Sequence, residues 1–173
     1  MSSSTPKSWT ATVLTISDSC ARGERADRSG PAVAAVLRRR NFSLVGTEIV
    51  PDEQAAIERA MVHWAGESRL VVTTGGTGIA KRDVTPEATR QVCARLLEGV
   101  AERMRLEGGK KTAFAALSRG VCGVRGDSLI LNLPGSPTAA VESLESIIDL
   151  LPHALQLLSG NTEHAEDPHF FAG

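Results

Sequence analysis

The stretch that most constrains this chain is Leu70–Glu87, LVVTTGGTGIAKRDVTPE. Its apolar, β-branched start, Leu70-Val71-Val72, predicts a buried strand. Gly75, Gly76 and Gly78 then let the chain turn sharply and let backbone N–H groups approach a ligand that a Cβ would hold off. Thr73, Thr74 and Thr77 add hydroxyl donors beside those amides. After Lys81, Arg82 and Asp83, the run Thr85-Pro86-Glu87 has the form of a helix start, with Thr85 as N-cap and Pro86 at the first helical position. Strand, glycine loop and helix N-terminus together suit an oxyanion. The loop is not a P-loop, since no G-x-x-x-x-G-K-S/T occurs in the chain. Nor is it a dinucleotide fingerprint, because Lys81 stands where the third glycine belongs. For the glycines alone, a structural turn with solvated charges is an equal alternative.

The rest of the chain repeats this pattern of strand, polar loop and helix. Thr12–Ser17 alternates as a strand and ends in Ser17-Asp18-Ser19; after a loop rich in arginine, Ser29-Gly30-Pro31 starts a helix. Leu44–Val50 is a second strand closed by Pro51-Asp52, and Asp52 is expected to cap an amphipathic helix carrying Ile57, Ala60, Met61 and Trp64. The helix from Pro86 is expected to bury Ala88, Val92, Cys93 and Leu96, and a further helix spans about Gly99–Glu107. Val121–Val124 and Ser128–Leu133 are strands joined by the turn Arg125-Gly126-Asp127. The second strand runs into Pro134-Gly135-Ser136-Pro137, and the helix behind that loop breaks near Pro152. Alternating strands and helices predict an α/β layered sheet covered on both faces, with ligands outside the carboxyl ends of its strands.

Composition narrows the possible functions. The chain has 173 residues, 42% of them hydrophobic, enough for one domain with a substantial core. No apolar run approaches the ~20 residues that span a bilayer, and MSSSTPKSW has no secretory h-region. Cys20, Cys93 and Cys122 form no C-x-x-C pair, which fits reduced thiols in a cytoplasmic protein. The histidines include no H-E-x-x-H. A net charge of −1 argues against a general nucleic-acid binder, so an anionic ligand must be held by local charge.

Two glycine loops at neighbouring strand ends could hold two anionic groups, with Arg22, Lys81, Arg82, Lys110, Lys111, Arg119 and Arg125 as candidate cations. Carboxylates such as Asp52 and Asp83 amid phosphates make sense through a hard cation, since Mg²⁺ takes one or two carboxylates plus substrate oxygens. Gly135-Ser136-Pro137 is not a G-x-S-x-G elbow, so no side-chain nucleophile is expected there. The inventory favours phosphoryl or nucleotidyl transfer by positioning and charge.

Five motifs in order carry a more specific likeness: ISDS at Ile16–Ser19, VPDE at Val50–Glu53, TTGGTG and RDVTPE within Thr73–Glu87, LSRG at Leu117–Gly120 and LNLPGSP at Leu131–Pro137. Together they resemble the molybdopterin-binding family, most closely its bacterial adenylyltransferases of molybdenum cofactor synthesis, over about Thr12–Gly160. The resemblance implies a three-layer α/β/α fold with a mostly parallel central sheet, usually a cytoplasmic homotrimer. It implies one domain over 10–160, between a disordered N-terminus (1–9) and a polar tail (161–173) whose Phe170-Phe171 could dock on a neighbour. The implied activity uses ATP and Mg²⁺ to adenylylate the terminal phosphate of molybdopterin, releasing pyrophosphate, with hand-over to a molybdenum-insertion protein and no nucleic-acid or membrane partner. Asp52 and Asp83 match the family's catalytic acids and are the implied metal ligands. Thr74, Gly75, Gly76, Thr77 and Gly78, with Pro134, Gly135, Ser136 and Pro137, match its substrate-holding loops; Ser118 matches a binding-site serine, with Arg119 beside it. Two departures stand out. Ile79-Ala80-Lys81 replaces a segment that often holds an aromatic residue or proline, and Thr138 stands where a lysine is common, which bears on affinity more than on activity. The rivals are a non-catalytic pterin-binding module, a scaffold domain, and a sister group of the same fold; no fused domain is expected to support the scaffold role.

Overall fold

A computed structural model describes residues 8–160. Strand β1 (Trp9–Ile16) leads through a single turn, α1 (Asp18–Ala21), to α2 (Ser29–Arg39) and β2 (Phe42–Val50). Then come α3 (Gln54–Glu67), β3 (Leu70–Thr74), α4 (Thr85–Val92), β4 (Arg95–Leu96) and α5 (Glu98–Gly109). A 3-10 turn (Ala113–Leu117) precedes the hairpin of β5 (Cys122–Arg125) and β6 (Ser128–Leu133). Helices α6 (Pro137–Ile147) and α7 (Leu151–Leu158) follow, joined by a short 3-10 turn at Ile148–Leu150. Residues 1–7 and 161–173, including the Phe170-Phe171 pair, lie outside the described residues; Trp9 already belongs to β1.

The strands form one sheet in the order β2-β1-β3-β6-β5-β4. The first four are parallel neighbours, and β5 and β4 run antiparallel beside them. Burial on both faces explains the apolar runs: Leu70 and Val72 point to one side of the sheet and Val71 to the other, as do Leu129 and Leu131 against Ile130. On the first side these residues pack with Val33, Val36 and Leu37 of α2, Met104 of α5, Leu144 of α6 and Leu151 of α7. On the second they pack with Ile57 and Met61 of α3 and Ala88 of α4. The result is the three-layer α/β/α arrangement expected from the sequence.

Two local expectations fail. Helix α4 stops at Val92, and Cys93 is extended. Leu96 pairs with Gly123 as part of β4 rather than continuing a helical face. The reason lies in β5: a Cβ at Gly123 would stand 2.5 Å from Cys93 Sγ, so glycine there lets the chain cross closely and join the sheet. Ala94 and Leu97 then donate to Val124 and Cys122 carbonyls at 2.9 and 2.8 Å. Among the described residues no helix is long and apolar enough to cross a membrane, and the three cysteines are free thiols.

Candidate active site

The carboxyl ends of β2, β1, β3 and β6 lie side by side, and each opens into a loop named above. After β1, the Ser17 hydroxyl accepts from Cys20 N at 3.2 Å and caps α1, while Ser17 N donates to Val50 O at the end of β2 (2.9 Å). The two strand ends are joined more tightly by a reciprocal pair. Asp18 N donates to Asp52 Oδ2 at 2.8 Å, and Asp52 N donates to Asp18 Oδ1 at 3.0 Å. Asp52 therefore does not cap its helix: Glu53 occupies the N-cap position of α3 and makes no side-chain cap.

The glycine loop owes its path to two left-handed residues, Gly75 (φ 97°) and Gly76 (φ 66°). A Cβ on Gly75 would lie 2.3 Å from the Ile16 carbonyl oxygen, and one on Gly76 would lie 2.3 Å from Thr85 Oγ1. Thr85 is also not the expected cap. Val84 is the N-cap of α4, and the buried Thr85 hydroxyl donates to Gly75 O at 3.0 Å while its N–H donates to Gly76 O at 3.1 Å. Asp83 ends the charged part of the loop, its Oδ2 accepting from Ala80 N at 2.9 Å. Across from it, Ser136 caps α6 as expected, and Gly135 approaches so closely that its Cβ would be 3.3 Å from Gly75 Cα.

Two cavities meet at these loops. One, of about 580 Å³, is lined by Ser17, Asp52, Thr74, Gly75, Ser136 and Pro137 with Arg25, Asp27 and Arg28. The other, of about 510 Å³, is lined by Thr77, Gly78, Ser118 and Pro134 with Ile79, Met104, Phe114 and Leu117. Gly76, Asp83 and Gly135 belong to both. Every substrate-loop residue expected from the sequence thus lines one cavity or the other, except Arg119, whose guanidinium bonds to Gly78 O, Asp83 O and Glu87. A larger cleft of about 660 Å³ opens at the opposite edge of the sheet and contains Arg125, which removes that residue from the site. Lys110 and Lys111 are paired with Glu107 and Glu142 at 2.7 and 2.8 Å, and Arg22 with Glu24 at 2.8 Å.

Charge at the seam is uneven. Burial raises the Asp52 carboxyl above its usual value, and the neighbouring Asp18 and Asp83 carboxylates add to the rise. Asp18 moves the other way, because Arg82 Nε donates to its Oδ2 at 2.5 Å. Among the described residues, Asp52 Oδ1 and Asp83 Oδ1 receive no hydrogen bond, and no group of three or more His, Cys, Asp or Glu could hold a metal ion by itself. Two carboxylates with one uncommitted oxygen each, beside a cavity, fit Mg²⁺ completed by substrate oxygens.

Some residues that build the site do not stand out in the sequence. Asp27 sits among charged loop residues, yet it accepts from Thr15 Oγ1 (2.7 Å) and Gly30 N (2.9 Å) and fastens the start of α2. Thr74 Oγ1 donates to Ser29 Oγ at 2.5 Å beside it. Buried Asn132 of β6 donates to Thr73 Oγ1 of β3 (3.1 Å) and Thr89 Oγ1 of α4 (2.9 Å) and accepts from Val121 N just before β5 (3.2 Å). A polar residue inside the apolar run SLILNL was the available clue to it.

The family described as "Probable molybdopterin binding domain" matches residues 12–153. Cinnamon, a molybdenum cofactor synthesis protein of Drosophila melanogaster, is 43% identical over 167 residues, covering 94% of this chain but only 28% of that longer protein. A molybdopterin adenylyltransferase of Helicobacter pylori is 42% identical over 153 residues, covering 86% of this chain and 87% of the relative. Among solved structures, the molybdopterin biosynthesis enzyme MoaB from Thermus thermophilus superposes with a TM-score of 0.83 at 51% identity, covering 88% of this chain and 97% of the other.

Proposed function

This chain belongs to the molybdopterin-binding domain family, and from that premise we propose that it acts as a molybdopterin adenylyltransferase. It transfers AMP from ATP to the terminal phosphate of molybdopterin: a phosphate oxygen of the pterin bonds to the α-phosphorus, and the bond to pyrophosphate breaks. The observation that carries this is the pair of cavities sharing Gly76, Asp83 and Gly135 as a common wall. A two-substrate transfer needs two binding volumes that meet at the reacting atoms, held close and in line. The cavity with Ile79, Met104, Phe114 and Leu117 suits a flat heteroaromatic ring, and the one with Ser17, Arg25 and Arg28 suits a nucleotide.

The residues at the wall have separable tasks. Gly76 and Gly135 let the wall close up, Gly76 against Thr85 and Gly135 against Gly75, where any side chain would force them apart. Asp52 and Asp83 would hold Mg²⁺, which supplies charge neutralisation at the transferring phosphoryl group when bound. The Asp18 amide holds Asp52 by one oxygen and leaves the other uncommitted, and the Ala80 amide does the same for Asp83. Arg82, held by Asp18 at the mouth, adds positive charge near the carboxylates. We further take the working form as a homotrimer and the cytoplasm as its place, with the product passing to a molybdenum-insertion protein; these rest on the family resemblance.

The test is incubation with molybdopterin, ATP and Mg²⁺, with and without EDTA, followed by chromatography. The expected result is an adenylylated pterin and pyrophosphate in equal amounts, both abolished by EDTA. A protein that binds the pterin yet forms no adenylate would be a binding module instead.

A further inference from the structure

Arg119 lies between the 3-10 turn and β5, outside both cavities, in a separate cleft with Arg90 and Arg105. Its backbone N–H donates to Thr77 O at 2.8 Å, which sets the side chain beside the glycine loop. From there the guanidinium reaches two carbonyls of that loop: Nε donates to Gly78 O and Nη2 to Asp83 O, both at 2.7 Å. Nη1 meets the Glu87 carboxylate in the first turn of α4. One planar group therefore ties together the two ends of the segment 78–83. The residues between those ends are solvent-exposed, Ile79 at 71%. A segment of that kind opens easily unless its base is fastened.

We propose that Arg119 is the positioning residue for Asp83, with Glu87 orienting its guanidinium. This rests on the function proposed above and adds to it how the second carboxylate is kept at the wall between the cavities. Asp83 belongs to the loop, just before the Val84 N-cap of α4. Its own side chain folds back on Ala80 N, which belongs to the same loop and moves with it. Arg82, tied to Asp18, anchors the exposed side of the loop, and the carbonyls at its two ends, Gly78 and Asp83, are both held by Arg119. A lysine would keep the charge but lacks the fork that spans two acceptors in one plane. The guanidinium is committed to protein acceptors, so its loss should leave pterin affinity in place and lower the transfer step.

The experiment compares wild type with Arg119→Lys, Arg119→Ala and Glu87→Gln. Single-turnover AMP transfer at saturating substrates is read beside the pterin Kd and backbone amide exchange. In Arg119→Lys we expect exchange at Ala80 and Asp83 to quicken at least tenfold while that of Thr85 is unchanged. Transfer should fall roughly tenfold to a hundredfold, the range that small misplacements of a reacting group produce, with Kd within about twofold of wild type. Glu87→Gln should show a smaller change of the same sign. Millimolar ethylguanidinium should restore part of the transfer in Arg119→Ala and none in Asp83→Asn. Unchanged exchange at Ala80 and Asp83 in Arg119→Lys would overturn the proposal. So would a loss confined to pterin Kd, which would make Arg119 a substrate contact, or full transfer despite quickened exchange. An inactive wild type would remove the adenylyltransferase function and leave the exchange data to decide the latch on their own.

Discussion

At the scale of single residues, the proposed function rests on the charge of two carboxylates. Replacing Asp52 or Asp83 by Asn keeps the shape and an acceptor oxygen but removes the charge. Losing one electrostatic contribution to a transition state commonly costs ~3–4 kcal/mol, so each variant should bind pterin yet transfer AMP roughly a hundred- to thousandfold more slowly in single-turnover assays. Stability should move the other way for Asp52. Burial raises its carboxyl, so it favours the fold only while protonated. That contribution is complete below the ordinary value of 3.8 and is lost as pH climbs through the raised folded value. In EDTA, Asp52→Asn should therefore melt above wild type at pH 7, and the gap should close as the buffer is taken below pH 4. A gap that is constant with pH, or of opposite sign, would contradict the desolvated carboxylate. Thr12 offers a second case. Its Oγ1 is buried and, among the described residues, without a hydrogen-bond partner. Valine fills the same space with no polar atom to satisfy, so Thr12→Val should gain about 1 kcal/mol in urea unfolding.

Glycine at the loop of β3 belongs to the scale of elements, because Gly75 and Gly76 are where the strand turns into its loop. Gly76→Ala forces a left-handed backbone on alanine, ~1–2 kcal/mol, and drives a methyl into Thr85 Oγ1. The urea midpoint should fall by more than that strain alone. Gly66→Ala, in α3 with open space around it, should instead gain about 0.5–1 kcal/mol. Both glycines were visible in the sequence, but only one is needed for its backbone. The same division runs through the whole fold. The strands were legible because runs buried on two faces, such as Leu70–Val72 and Ser128–Leu133, have no other use in a chain of this length. The loops at their ends were legible as a site because Gly, Ser, Asp and Pro cluster there. What could not be read was which partner each short polar side chain takes. Thr85 and Asp52 both stand where a cap belongs; Asp52 bonds instead to the loop after β1, and Thr85 reaches ten residues back to Gly75 at the start of its own loop. A cap depends on local spacing; a cross-loop bond depends on topology, which spacing does not encode. Cys93 and Leu96 were misplaced for the same reason, since only Gly123, thirty residues on, lets them join the sheet.

For the molecule as a whole, the two cavities should respond to their ligands together. A ligand at 100 times its Kd adds about 2.7 kcal/mol to the folded state. ATP with Mg²⁺ should raise the melting temperature accordingly, and ATP without it should do less; no shift in either case, with no binding by calorimetry, would count against a nucleotide site. Light scattering at micromolar concentration should return the mass of three chains. The sheet order also governs the time course of folding. Parallel pairs β2-β1, β1-β3 and β3-β6 join segments far apart in sequence, whereas β5-β6 is a local hairpin. Local pairs close quickly and distant ones slowly. The site as a whole draws on the loops after β1, β2, β3 and β6, so it exists only once the last distant pair has formed. Nucleotide present during refolding should then leave the folding rate nearly unchanged and slow unfolding by almost the whole of its stabilisation, roughly a hundredfold at 100 times Kd. Such a ligand would guard the finished protein without helping to build it.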